Sequence, residues 1–193
     1  LLEASAGVNI QSGILSNGGL VSVNGTSSQG TGLVVSTSGF INAATGDINL
    51  TGTSSGTGTL VHGVYLGSSL FGSLFGNNIT ITGNTNGSVT SDGVLVSGVS
   101  SMSAQSDLNI SGGGTTGVKL LNVGSIQGTN NFSITGTSTT NTDDIVIDNS
   151  TLYADSLSLN ADQIHFLNNS TVQGLVTASS TLNLAPVNAT DNL

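Results

Sequence analysis

The sequence predicts an all-β fold, a parallel β-helix (β-solenoid) whose short strands wind round one axis, and three observations predict it. A phrase recurs with drifting letters: "GDINLTGTSSGTGTLVHGVYLGSS" at residues 46 to 69 returns as "SDLNISGGGTTGVKLLN" at 106 to 122, which marks a stacked structural unit rather than a single pocket. Apolar residues come in pairs separated by one small polar residue, the period of two expected of a strand with one buried face. Gly and β-branched or small polar residues interrupt every stretch that a 3.6-residue period would need, so helices have no place.

The first strand of each coil is built on Val21 and Val23, Ile48 and Leu50, Ile79 and Ile81, Leu108 and Ile110, Phe132 and Ile134, Leu157 and Leu159, and Leu182 and Leu184. Successive pairs stand 27, 31, 29, 24, 25 and 25 residues apart, inside the window of about 20 to 50 that solenoid repeats occupy. Val8 and Ile10 open a shortened coil before them. A second strand follows in each period, often led by Gly: "GLVV", "GVYL", "GVLV" and "GVKL", then "DIVI" and "QIHF". A third pairs a large apolar residue with a small one two positions on: Ile41 and Ala43, Met102 and Ala104, Ile126 and Gly128, Leu152 and Ala154.

Three short strands per coil and about seven coils of 24 to 31 residues therefore make one segment over residues 1 to 193, a rod of roughly 35 Å at about 4.8 Å per coil. Equivalent residues stack, Ile48 on Val21 and Ile79 on Ile48. Their outward partners, such as Asn49 and Thr51 or Thr80 and Thr82, form polar ladders. The Gly-rich stretches between first and second strands read as loops of varying length, with Gly supplying positive φ at their ends. No domain boundary interrupts the pattern, and the termini read as those of a piece excised from a larger repetitive protein.

Composition narrows the function. Charged residues are only 6% of the chain, with ten acids against the single cation Lys119 and a formal charge of −9, so nucleic acid and anionic bilayers are repelled. No apolar run approaches the roughly 18 residues of a membrane-spanning helix, which predicts no membrane insertion. Cysteine is absent, which removes thiol chemistry and disulfides.

The repeated phrases, "GDINLTGTSSG…GVYL" and "NNITITGNTNG…GVLVSG", resemble the shaft of large secreted bacterial exoproteins of the filamentous-haemagglutinin and high-molecular-weight adhesin type, exported by two-partner secretion. The resemblance covers nearly the whole chain. Autotransporter passengers and the shafts of contact-dependent toxin-delivery proteins share this kind of repeat. The resemblance implies a right-handed coil, a secreted or cell-surface location, an outer-membrane translocator as export partner, and attachment to a receptor or glycan on a host or neighbouring cell. The family's NPNL-like and NPNG-like secretion motifs do not occur here, so the segment corresponds to shaft downstream of the secretion domain.

A polysaccharide-active enzyme on this fold needs clustered carboxylates with Lys or Arg, whereas Glu3, Asp47, Asp92, Asp107, Asp143, Asp144, Asp148, Asp155, Asp162 and Asp191 mostly occupy turns and Arg is absent. Asp143, Asp144 and Asp148 lie within six residues yet lack the Gly-Gly-x-Gly-x-Asp repeat of calcium solenoids. His62 and His165 have no neighbour in metal spacing, and His165 is expected to face outward. No catalytic, metal or cofactor site is predicted. A repetitive binder of ice or glycan would want a regular Thr-x-Thr strip, which Thr80 and Thr82 supply in one coil. Ten Asn-x-Ser/Thr sequons occur, at Asn24, Asn49, Asn78, Asn86, Asn109, Asn131, Asn149, Asn168, Asn169 and Asn188, and the resemblance implies glycosylation at such sites by a cytoplasmic partner enzyme. The tandem "SLFGSLFG" lengthens its coil. With Leu74 inward and Gly76 after it, Leu70 and Phe71 form an insertion that either folds back over the coil as ordinary packing or leaves Leu70, Phe71 and Phe75 as the candidate partner surface.

Overall fold

The structure, a computed structural model, describes residues 6–36, 38–58, 60–67, 73–86, 90–178 and 182–183. In chain order the strands are β1 (Val8–Ile10), β2 (Gly13–Leu15), β3 (Val21–Ser27), β4 (Leu33–Ser36), β5 (Phe40–Asn42), β6 (Ile48–Ser54), β7 (Val64–Gly67), β8 (Ser73–Gly76), β9 (Ile79–Thr85), β10 (Asp92–Ser97), β11 (Ser101–Ala104), β12 (Leu108–Leu121), β13 (Ile126–Asp148), β14 (Thr151–Asn160), β15 (Ile164–Leu167), β16 (Thr171–Ala178) and β17 (Leu182–Asn183). No helix occurs among the described residues, and the strand pairings are parallel.

Three faces result. The first stacks Val21, Ile48, Ile79, Leu108, Phe132, Leu157 and Val176 in register. The second stacks Val8, Leu33, Val64, Val94, Val118, Ile145, Ile164 and Leu182. The third stacks Ile14, Ile41, Leu74, Met102, Ile126, Leu152 and Val172. Between Ile48 and Leu157 the inward residues of the first face are buried, as are those from Leu33 to Ile164 on the second and from Ile41 to Leu152 on the third. Each such Leu or Ile removed from water contributes about 1.5–3 kcal/mol.

Two strand assignments differ from the sequence expectation. Five full turns of 27, 31, 29, 24 and 25 residues run from Val21 to Leu157, with partial turns at either end, rather than about seven coils of 24 to 31 residues. Leu182 stacks on Ile164 in the second face, not on Leu157, whose first-face neighbour is Val176. The last turn shortens because Gly174, at φ +132, takes β16 round the corner in one residue. Leu184 lies outside the described residues. Val8 and Ile10 likewise pair with Leu33 and Val35, so they belong to the second face of a preceding turn.

The glycines between first and second strands have a different cause from the one expected. The first strands pass straight through Gly25, Gly52, Gly83, Gly112 and Gly136, none of which has positive φ. A Cβ at these positions would stand 2.0 to 2.2 Å from the carbonyl oxygens of Gly32, Gly63, Gly93, Gly117 and Asp144. Glycine is required because two backbones touch across the interior, a pinch that narrows the core before the loop emerges. Positive φ falls elsewhere, notably at the second-to-third corner, where Gly98, Asn122, Asn149 and Asn168 succeed one another.

Candidate contact surface

Strand alternation gives each face an outward column. On the first face this column is polar: Ser22, Asn49, Thr80, Asn109, Ser133 and Ser158 in one row, Asn24, Thr51, Thr82, Ser111, Thr135 and Asn160 in the next. Thr51 and Thr53, and Thr135 and Thr137, add outward Thr pairs to Thr80 and Thr82, but Asn109 and Ser111 interrupt the strip. The second face differs from the first, because Val34, Tyr65, Leu95, Lys119 and Val146 stack in its outward register, with His165 beyond them. The signal for this lies in "LVV", "VLV" and "IVI", runs apolar on both sides of the strand.

The third face carries Asn42, Phe75, Ser103, Gln127, Tyr153 and Gln173 outward in register. Leu74 is fully buried between Ile41 and Met102, as its spacing from Gly76 predicts, and Phe75 is turned outward and half-buried. Leu70 and Phe71 lie outside the described residues. A shallow open groove of about 310 Å³ runs beside Tyr153.

The carboxylates are distributed along the rod. Asp47 Oδ1 accepts from the Asn78 backbone N–H at 3.0 Å, from Asn78 Nδ2 at 2.9 Å and from Asn77 Nδ2 at 3.1 Å, and these donors, the backbone one foremost, hold its pKa below the ordinary carboxylate value. Asp107 continues the same corner, with its N–H donating to Asn78 Oδ1 at 3.3 Å and its Oδ1 accepting from Asn131 Nδ2 at 3.0 Å. The acidic turn is split three ways. Asp143 faces His165 at 2.8 Å, Asp144 accepts from the N–H groups of Ser138, Asp162 and Gln163, and Asp148 accepts from Asn168. Among the described residues no three His, Cys, Asp or Glu side chains gather as a metal cluster.

One pair is invisible to local spacing. His62 and Asp92, both buried, meet with Nδ1 3.3 Å from Oδ2 and 3.1 Å from the Asp92 N–H that donates to it. The residues are 30 apart, yet both directly precede a pinch glycine, in "HGVY" and "DGVL", so an alignment of second strands stacks them. Ser91, Thr85, Ser54 and Ser27 complete this polar plug outside the pinch, with Thr85 Oγ1 donating to the Val61 carbonyl at 3.0 Å and Ser54 Oγ to that of Gly30 at 2.7 Å. The plug anchors loops, since the hydroxyls of Thr85, Ser54 and Ser91 bond the backbone of a neighbouring coil and that of Ser27 accepts from the N–H groups of Gln29 and Gly30 in its own loop.

The sequons also separate. Asn24, Asn49 and Asn109 are exposed on the first face, and Asn86 and Asn169 are exposed beside turns. Asn131, Asn149 and Asn168 are exposed too, but their amide nitrogens, like that of half-buried Asn78, are engaged, donating to Asp107, Asn122, Asp148 and Asp47 respectively. Asn188 lies outside the described residues. No protein-family model, no curated protein sequence and no solved structure matches the chain.

Proposed function

We propose that this chain is a shaft segment of a large secreted bacterial surface protein, exported through an outer-membrane translocator, that spaces and bears attachment to a host or neighbouring cell without catalysis. The observation that carries the reading is the unbroken stacking of three inward apolar ladders from Ile48 to Leu157. Every backbone in such a stack is tied to the coil before and the coil after, so the element resists bending and extends by adding coils. Its first-face outward columns are polar and the whole chain carries one Lys, which suits a long rod that must not adhere to itself through charge.

Two measurements test this. Excising residues 79–107 removes one coil and leaves Leu108 to follow Ile48 in register, with Val118 on Val64 and Ile126 on Leu74. A spacer keeps its cooperative melting within a few degrees after that excision; loss of folding would show that the coils are not equivalent units. Beads coated with the intact chain are expected to be retained on a panel of bacterial and epithelial cell layers above albumin-coated beads. Retention on none of them removes attachment from the reading.

A further inference from the structure

The corner that leads from the third face to the first shortens from coil to coil. Between third and first strands the chain uses Gly128, Thr129 and Asn130 after Gln127, then Ala154 and Asp155 after Tyr153, then Gly174 alone after Gln173, and the pairing register slips at each step. Gly174 sits at φ +132, and a Cβ there would lie 1.8 Å from the Ala154 carbonyl oxygen, so no side chain can fill the step. The result is the 310 Å³ groove, lined by Gln127, Thr129, Tyr153, Asp155 and Gln173, near the lower end of the roughly 300–1,000 Å³ of ligand sites. Register bulges recur beside such sites because they re-aim side chains.

The lining has a specific chemistry. Tyr153 offers a partly exposed aromatic ring, with Gln127 and Gln173 one coil to either side of it. A ring that buries an apolar surface, flanked by amides, a hydroxyl and a carboxylate that pair with vicinal hydroxyls, suits a pyranose, which presents one C–H face and an equatorial rim of OH groups. Phe75 lies on the same outward column three coils away, about 14 Å along the axis at about 4.8 Å per step, with Ser103 and Gln127 between. The groove is open, so a chain can pass through it. Lys119 lies on the second face, no cation lines the groove, and the chain carries −9 overall, so an acidic ligand is repelled.

We propose that the third face binds a neutral oligosaccharide laid along the rod axis, with sugar rings stacked on Tyr153 and Phe75 and hydroxyls paired with Gln127, Gln173 and Asp155. This deepens the attachment reading and rests on it for its biological setting. The chain has two Tyr and no Trp, so in a Tyr65→Phe background Tyr153 alone supplies the tyrosine emission. Titration of that protein with cellohexaose and with chitohexaose is expected to change the emission saturably for at least one of them, with cellotriose or chitotriose weaker because it cannot span both rings. By calorimetry, Tyr153→Ala is expected to weaken binding at least tenfold and Phe75→Ala several-fold, with melting temperature nearly unchanged because both side chains point outward. No response to either neutral hexaose, unchanged affinity in Tyr153→Ala, or tighter binding of hexagalacturonate would each overturn the strip. The bead assay separates the two readings: cell retention without hexaose binding leaves attachment standing and removes the strip. Hexaose binding without cell retention does the reverse.

Discussion

The coils up to Gly117 and the coils after Asp144 close the same cross-section by different means. In the early coils glycine stands on both sides of the pinch, at Gly52 and Gly63 or Gly83 and Gly93, and in β6 and β9 the first strand runs seven residues before the loop leaves. In the late coils Ala161 occupies the position that Gly136 holds one turn earlier, and β15 begins at Ile164 after a turn of residues 161 to 163. Asp144 is the seam. It takes the place of the second pinch glycine, with its backbone carbonyl against Gly136 and its side chain accepting from the N–H groups of Asp162 and Gln163 at 2.9 and 2.8 Å. Early coils are held by backbone proximity, which tolerates nothing inside and almost any loop outside. Late coils are held by a side-chain hydrogen bond, which permits a short corner but depends on one residue.

The largest expected effect ignores this difference and tests inside against outside. Ile79 is fully buried in the first-face stack, and Ile79→Asp places a charge there with no partner, which should unfold several coils. Thr80 on the same strand points outward, and Thr80→Asp should melt within a few degrees of the parent. Equal melting temperatures for the two variants would invert the assignment of faces.

Next in size is a test of the pinch itself. Gly83→Ala puts a methyl group 2.0 Å from the Gly93 carbonyl, and two backbones that already touch must separate, so the loss should match or exceed the roughly 2–5 kcal/mol of a large core truncation. The late-coil counterpart, Ala161→Gly, removes one buried methyl and adds unfolded-state freedom, and should cost about 1–2 kcal/mol. Urea melts of both variants measure the contrast. If Gly83→Ala costs no more than Ala161→Gly, the interior has room that the pinch denies.

Much of this architecture is legible in the sequence. Inward pairs such as Ile79 and Ile81 declare themselves by period two, and Leu74 by the small residue two positions after it. The pinch is half visible: its glycines stand out, but a sequence does not say whether Gly answers to φ or to a neighbouring backbone, and here the second applies. Leu182 falls on the second face rather than the first because "LNL" fits either of two strands, and only the one-residue corner at Gly174 decides between them. Local spacing does not tie Asp92 to His62, since partners in a solenoid lie a coil apart. Phe75 is marked as a contact residue by its tandem "SLFG" repeat. Tyr153 carries no such mark, because its significance comes from the Gln127 and Gln173 rows beside it and from the step in the corner.

A smaller effect tests the seam. Asp144→Ala removes the acceptor shared by the N–H groups of Ser138, Asp162 and Gln163, and because these part-buried donors can turn to water the cost should be about 1 kcal/mol. The loss should be local, and amide exchange reads it: β15 and β16 are expected to exchange faster while β6 and β9 keep their protection. Uniform acceleration across both halves would mean that Asp144 supports the whole stack rather than the junction.

The smallest expected effect lies in the early coils, at the corner that leads into the first face. Asp47 is held below the ordinary carboxylate pKa chiefly by the Asn78 N–H, then by the Asn78 and Asn77 amides. A depressed folded-state value means that the unfolded chain binds its proton first as pH falls. The contribution of Asp47 is therefore complete well above the unfolded value of about 3.9 and disappears as pH drops through the lower folded value. Asp47→Asn keeps an acceptor oxygen but removes the charge. Its melting temperature should fall slightly below that of the parent at pH 6, and the gap should close as pH approaches 2. The corresponding corner of the late coil carries Ser156, so Ser156→Ala should shift melting by an amount that does not vary between pH 2 and 6. A gap for Asp47→Asn that is constant with pH, or widest in acid, would mean that the charge of Asp47 plays no part in holding Asn77 and Asn78, and that the corner is fixed by the backbone alone, as the pinch is.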